Sequence, residues 1–308
     1  MAINPLSRIT RAIPLVRGVE EERDALREEV RRYSMGWPPG HFYSPLPSIE
    51  EVNRDEERIF APPPSDLAGI DLNASAQLHL LEQLSPHYEI LPFQPSPQKG
   101  HRYYYDNDYF SYGEAIILFC MIHHLRPRRI VEIGSGFSSA VMLDALDLLP
   151  EIECTLTFIE PYPERLEALM RPGDTRRAEL VKARVQDVGL HTFESLRAGD
   201  ILFVDSSHVS KIGSDVNCIV FELLPRLNPG VFVHFHDIYY PFEYPKQWIC
   251  QGRAWNESYL LRAFLQFNAA FSIRFFNSYL GRFHLDHVAR VLPFFGKNPG
   301  SSIWITRH

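Results

Sequence analysis

Two short segments of this 308-residue chain concentrate the side chains that can move protons or hold ions. Asp205-Ser206-Ser207-His208 closes one apolar run, and His234-Phe235-His236-Asp237 closes another. If both runs are strands ending on one side of a sheet, Asp205, His236 and Asp237 converge. Mg²⁺ prefers oxygen ligands and keeps several waters, so two carboxylates beside substrate oxygens suit it, with His236 as a third ligand. A histidine near its ordinary pKa can take a proton from a hydroxyl, which makes His208 and His236 the two candidate bases. His234 lies deeper in its run and reads as a core residue. An Asp/His/His set is otherwise a pattern for nonheme iron.

A third segment, IVEIGSGFSSA from Ile130 to Ala140, is an apolar run, an acid, a glycine turn and a helix start. Gly134, Ser135 and Gly136 form the turn, where glycine lets the backbone approach a ligand. Ser138 and Ser139 are placed to cap the following helix. A dinucleotide fingerprint needs a third glycine where Ser139 stands, and Glu132 would repel a pyrophosphate. A cation is welcome there instead, and S-adenosylmethionine carries both a sulfonium and an ammonium. The next apolar run ends in Glu160, 24 residues after Gly136, where a carboxylate can accept both ribose hydroxyls. Tyr162 is placed to lie against the adenine, and Asp187 to meet its amino group. The expected cofactor set is therefore Glu132, Gly134, Ser135, Gly136, Ser138, Glu160, Tyr162, Asp187 and Asp205.

Such side chains converge only if the segments between them alternate as strand and helix. Apolar runs at 129–133, 154–160, 180–186, 201–205, 231–236, 271–276 and 302–306 read as strands. Between the fourth and fifth, Ile212, Val216, Ile219, Val220, Leu223 and Leu227 share one helical face. Alternation of this kind predicts an α/β fold whose mostly parallel sheet is wound by right-handed crossovers. Helices are also predicted at 74–84 and 113–125. The connection after Asp237 holds Tyr239, Tyr240, Phe242, Tyr244, Trp248 and Trp255, and reads as one wall of a substrate site. Glu257 and Asn107 are weaker lining candidates. Residues 19–33 predict a solvated helix with Val19, Leu26, Val30 and Tyr33 on a narrow stripe, and the proline-rich stretch after Trp37 predicts an extended arm. The expected division is an N-terminal arm over 1–70, available for homo-oligomer contacts, and one domain over 71–308.

The segments RYYYDNDYFSYGEA, VEIGSGFSSAV, DILFVDSSH, HFHDIYYPFEYP and WNESYLLRAFL together resemble a large group of bacterial class I methyltransferases. That group is related to metal-dependent O-methyltransferases acting on sugars and natural products. The resemblance runs from about Ile70 to the C-terminus. It implies a Rossmann-like sheet of seven strands with the last antiparallel, S-adenosylmethionine as cofactor and, in the metal-dependent relatives, a divalent ion at the substrate. In those relatives the pair after strand five often carries two ligands, and His236 departs from the acid expected first. The implied acceptor is a hydroxyl on a small molecule or glycan. Alternatives are an N- or carboxyl-methyltransferase for peptides or proteins, and a module that holds the cofactor without catalysis.

Bulk properties agree with a globular protein: 45% of residues are hydrophobic and 22% charged. The net charge of −7, without a long basic run, argues against nucleic acid as main partner. No apolar stretch approaches the roughly 20 residues that span a bilayer, so no membrane partner is expected. Four scattered cysteines form no CxxC pair, which suits a reducing, cytoplasmic location.

Overall fold

The computed structural model describes residues 14–33 and 37–308. Its centre is a seven-stranded sheet in the order β3-β2-β1-β4-β5-β7-β6. The strands are β1 (Arg129–Ile133), β2 (Thr155–Ile159), β3 (Ala178–Val181), β4 (Ile201–Val204), β5 (Phe232–Phe235), β6 (Phe271–Phe276) and β7 (Ile303–Arg307). The pairs among β1 to β5 are all parallel, and β7 runs antiparallel to both β5 and β6. Every residue of β4 is buried, as expected of a central strand covered on both faces. The fold class predicted from alternation and resemblance is the one observed.

Register does the positioning. Ile133 pairs with Ile159 and Val204, and Val204 with Phe235. The residues that follow, Gly134, Glu160, Asp205 and His236, are therefore carried to one edge of the sheet. Strand order reverses around β1, so this edge is also the switch point where open α/β sheets leave a crevice.

Three elements differ from the sequence reading. The stretch after Trp37, expected to run extended, contains helices at Ile49–Arg54 and Glu56–Ile59, because Ser48 caps a proline-free run by accepting the Glu51 N–H. The third strand starts at Ala178, which pairs with Leu156, and ends at Val181. Residues Val185–Asp187 form a 3₁₀ turn in place of strand. The apolar face over 212–227 winds unevenly, through α-helix at Asp215–Cys218, π-helix at Ile219–Leu223 and 3₁₀-helix at Leu224–Arg226. Pro225 has no N–H to give a regular last turn. Ser214 starts the helix by accepting a bond from the Asn217 N–H, so Ile212 stays outside it, in solvent.

The Tyr112–Leu125 helix is buried from Tyr112 to His123, which places its one acid, Glu114, inside the protein. The segment before it is anchored by Arg102. This guanidinium donates from Nη1 to Asp144 and Asp147, each at 2.7 Å, and from Nε to Asp174 at 2.9 Å.

The chain divides into two compact units. One holds the described residues up to Ala61 together with Lys246–Ala254, and the other holds Pro62–Pro245 and Trp255–His308. In the first, the Pro14–Tyr33 helix exposes Val19, Leu26 and Val30, and Lys246 pairs with Glu56 at 2.6 Å. Among the described residues no helix is long and apolar enough to cross a membrane.

Candidate active site

The glycine turn works because nothing larger fits. Gly134 has φ +79°, and a Cβ there would lie 1.8 Å from the Asp205 carbonyl oxygen. Glu132, fully buried beneath the turn, accepts bonds from the hydroxyls of Ser138 (2.5 Å) and Ser139. Ser139 in turn accepts the Gly136 N–H at 3.0 Å. Burial pushes the Glu132 carboxyl up to about 8, with the serines pulling the other way. Here the structure differs from the sequence reading: Glu132 holds the turn's shape from inside, and Ser138 serves Glu132.

Beside the turn, Glu160 receives the N–H groups of Ser135 (3.1 Å) and Tyr162 (2.8 Å). It borders a cavity of about 520 Å³ lined also by Gly134, Tyr162, Gln186 and Asp205. Glu160, the turn and Asp205 are thus brought together as the sequence suggested. Asp187 is turned outward and forms a two-pronged pair with Arg184 at 2.8 and 2.9 Å. Gln186 lines the cavity instead, with its Oε1 buried and without a hydrogen-bond partner. An adenine amino group is the kind of donor that atom lacks. No sequence signal marked Gln186, because only the tight turn at 185–187 decides which neighbour faces inward.

At the ends of β4 and β5 the imidazoles and acids meet. His208 Nδ1 lies 2.8 Å from Glu257 Oε2, and its Nε2 lies 3.3 Å from Asp205 Oδ1 and 3.7 Å from Asp237 Oδ2. His236 Nδ1 lies 3.4 and 3.6 Å from the same two oxygens. Ser206 donates to Glu257 Oε1 at 3.0 Å, and Ser301 to Asp237 Oδ1 at 3.0 Å. His208 and Asp237 are both non-glycine residues at positive φ, +60° and +56°. Backbone of that kind persists only where surroundings enforce it, as at sites of chemistry. The loop after His208 is tied down when its carbonyl accepts the N–H groups of Asn256 (3.0 Å) and Glu257 (3.1 Å).

The charges are set by these neighbours. Burial opposes the imidazolium of His208, but Asp205 and Glu257 outweigh it and push its pKa up to about 10. Burial likewise opposes the Asp205 carboxylate, and His236 and His208 outweigh it, holding Asp205 well below the usual carboxylate range. His236 is also raised, against burial, by Asp237 and Asp205. His234 is the opposite case: stacked on Phe203 with ring centres 3.9 Å apart, it is driven down to about 4 chiefly by burial and stays neutral. That is the core histidine expected.

The expected metal set of Asp205, His236 and Asp237 does come together. Among the described residues, however, no group of three or more His, Cys, Asp or Glu is placed to hold an ion. Two of the four converging donors are imidazole nitrogens, where Mg²⁺ favours oxygen. The set as it stands therefore does not fit Mg²⁺, although His236 Nδ1 is buried without a hydrogen-bond partner.

Two contributors were under-read in the sequence. Glu257 is buried and bonded to the candidate base, a stronger role than lining. Glu114, 4.0 Å from His236 Nε2, had one signal, as the lone acid of an apolar helix. Asn107 has both ends of its amide engaged by backbone of residues 104–110. In the aromatic connection, Phe242 and Tyr244 are buried and Tyr240 bonds the Pro64 carbonyl, so these three pack the protein's interior. Trp255 does reach the site, lying against His208 with ring centres 4.3 Å apart.

A family described as a methyltransferase domain matches residues 131–238, from β1 through the end of β5. An uncharacterized protein of Archaeoglobus fulgidus is 41% identical over 165 residues, spanning 52% of this chain and 73% of its own length. Among solved structures, the SAH-bound methyltransferase PaMTH1 of Podospora anserina is 15% identical over 84% of this chain and 96% of its own, with a TM-score of 0.43. The SAM-bound O-methyltransferase TomG of Streptomyces achromogenes is 14% identical over 75% and 89%, at 0.42. CmcI with Mg and SAM is 20% identical over 64% and 71%, at 0.39. The chain spans 63% of CmcI in its apo form. The matched stretch contains the glycine turn, Glu160 and the ends of β4 and β5 within a sheet of the order described. On the strength of the matched methyltransferase domain, set within this sheet, the chain belongs to the class I S-adenosylmethionine-dependent methyltransferases.

Proposed function

We propose that this chain moves the methyl group of S-adenosylmethionine to a hydroxyl oxygen of a small-molecule or glycan acceptor, such as a sugar or natural product. The observation that carries this reading is the 2.8 Å contact between Glu257 Oε2 and His208 Nδ1. It fixes which ring nitrogen is engaged and leaves Nε2 beside Asp205, which also borders the cofactor cavity. The hydroxyl oxygen attacks the methyl carbon, the carbon–sulfur bond breaks to leave S-adenosylhomocysteine, and the hydroxyl proton passes to His208 Nε2. Trp255, against His208, supplies a flat apolar face for an acceptor ring.

His208→Ala is expected to lower the rate about 10²–10⁴-fold while cofactor affinity, measured by calorimetry, stays unchanged. With the pKa pushed up to about 10, the neutral imidazole grows with pH, so the rate should climb through the neutral range instead of levelling near pH 6.5. A variant that keeps the wild-type rate and profile would move the base elsewhere. A second reading is favoured by the partnerless His236 Nδ1: a divalent ion among Asp205, His236 and Asp237. Because imidazole nitrogens suit a borderline ion better than Mg²⁺, it requires activity to vanish in excess chelator and return with Mn²⁺. A cytoplasmic location accords with four cysteines that form no disulfide. The N-terminal arm is proposed as the contact for a homo-oligomer, which light scattering of a truncated chain would test.

A further inference from the structure

A concentration of positive charge lies far from the chemistry, at the opposite ends of the strands. A cavity of about 740 Å³ opens where β1, β2 and β4 begin, and six arginines line it: Arg126, Arg128, Arg129, Arg176, Arg177 and Arg197. No lysine is among the lining residues, and the lining acids are Glu153 and Asp200. This is a local reversal in a chain whose net charge is −7.

Ion pairing inside the protein does not account for the cluster. Arg126 pairs with Glu151, and Arg177 lies 3.7 Å from Asp147. Among the described residues, Arg128, Arg129, Arg176 and Arg197 have no carboxylate within ion-pair distance. Asp200, the nearest buried acid, is already occupied by the backbone N–H groups of Arg128 (3.0 Å), Arg129 (2.9 Å) and Arg197 (2.9 Å). Arg129 and Arg197 each spend Nη1 on backbone carbonyls, which leaves Nε and Nη2 as an open fork.

Repulsion among guanidinium groups cannot be relieved by losing protons, because arginine stays charged at any working pH. Lysines in the same place could shift their pKa. A permanently charged, partly unpaired ring is relieved by an anion, and the planar fork matches two oxygens of a phosphoryl group. A cavity of this size lies within the range of small-molecule sites.

We propose that this arginine-lined cavity binds a small multiply charged phosphoryl anion, at a site separate from methyl transfer. The ligand's chemistry is that of a pyrophosphate group, whether free or carried on a nucleotide.

Calorimetric titration of the full chain with inorganic pyrophosphate tests it, at constant ionic strength set by chloride. Saturable binding is expected, together with a rise in melting temperature beyond that in chloride. The double variant Arg128→Ala with Arg176→Ala should weaken pyrophosphate binding by about tenfold or more, since each lost guanidinium removes charge-assisted bonds. Its S-adenosylhomocysteine affinity should match the wild type, which also reports that it is folded. ATP binding as tight as pyrophosphate, and lost in the same variant, indicates the nucleotide-borne source. Absence of saturable binding by both anions overturns the proposal. So does equal binding by the double variant, or binding of duplex DNA where pyrophosphate fails.

Discussion

Two buried charge clusters in this protein obey different rules. Around Arg102, one guanidinium meets Asp144, Asp147 and Asp174 within hydrogen-bond distance, those to Asp144 and Asp147 at 2.7 Å. Burial lowers the Arg102 pKa and the three aspartates more than restore it, so the cation is never in question. Around His208 and His236, the contacts to Asp205 and Asp237 run from 3.3 to 3.7 Å, and one ring nitrogen has no partner. Donors and acceptors in the first cluster are matched and closed. In the second they are close enough to perturb one another yet too far apart to satisfy one another. A buried polar group left in that condition is costly, so its retention points to what enters the site. The first cluster is closed on every side, whereas the second is closed only where Glu257 holds His208 Nδ1 at 2.8 Å.

The comparison can be broken at its strong end first. Arg102→Ala leaves buried aspartates without their cation and should destabilise the fold by about 3–5 kcal/mol in urea unfolding. A loss under about 1 kcal/mol would mean the closed cluster is no more structural than an exposed pair. Next in size is Glu160→Ala, which removes the carboxylate at the rim of the cavity proposed for the cofactor. Charged hydrogen bonds contribute about 1.5–3 kcal/mol, so S-adenosylmethionine should bind at least about tenfold more weakly by calorimetry. Unchanged affinity would detach Glu160 from the cofactor.

Glu257→Gln sharpens the loose cluster. Losing that carboxylate takes away one of the groups that raise His208, so the rising limb of the pH–rate curve should move to lower pH. A packing role alone would lower the rate without moving the curve. Glu132→Gln tests the turn and should be read in the pH dependence of stability. A carboxyl whose folded pKa is raised to about 8 retains its proton in the fold while the unfolded chain loses it near 4.5. Its contribution is therefore complete below pH 4.5 and declines as pH rises towards 8. The glutamine variant should lack that decline in thermal denaturation and bind cofactor as the wild type does. Weakened binding would restore Glu132 as a direct partner of the cationic ligand.

Much of the half proposed for the cofactor was legible because it is local. Gly134, Glu160 and Asp205 each stand one residue beyond a strand, and strand ends can be read from apolar runs bounded by turn residues. Asp187 shows the limit. It too follows a strand, but the third strand stops at Val181, and the 3₁₀ turn that follows gives Asp187 to Arg184 and presents Gln186 to the cavity. A turn's pitch depends on contacts that periodicity does not encode. The aromatic connection shows the same limit: Phe242 and Trp255 look alike in sequence, yet Phe242 packs on Phe276 while Trp255 lies against His208.

By itself, then, the sequence determined the alternating α/β order, the glycine turn with its one forced conformation, and the acids and imidazoles that the strands must deliver to one edge. These follow from the short-range rules of steric exclusion, apolar period and chain register. Tertiary structure alone decided what each group became. It enclosed Glu132 and gave it to two serines, and it joined Glu257 to His208 across 49 positions of chain. It also gathered arginines from three separate stretches around one cavity. Burial and charge depend on distance in space, and pKa, pairing and solvent access follow from those distances.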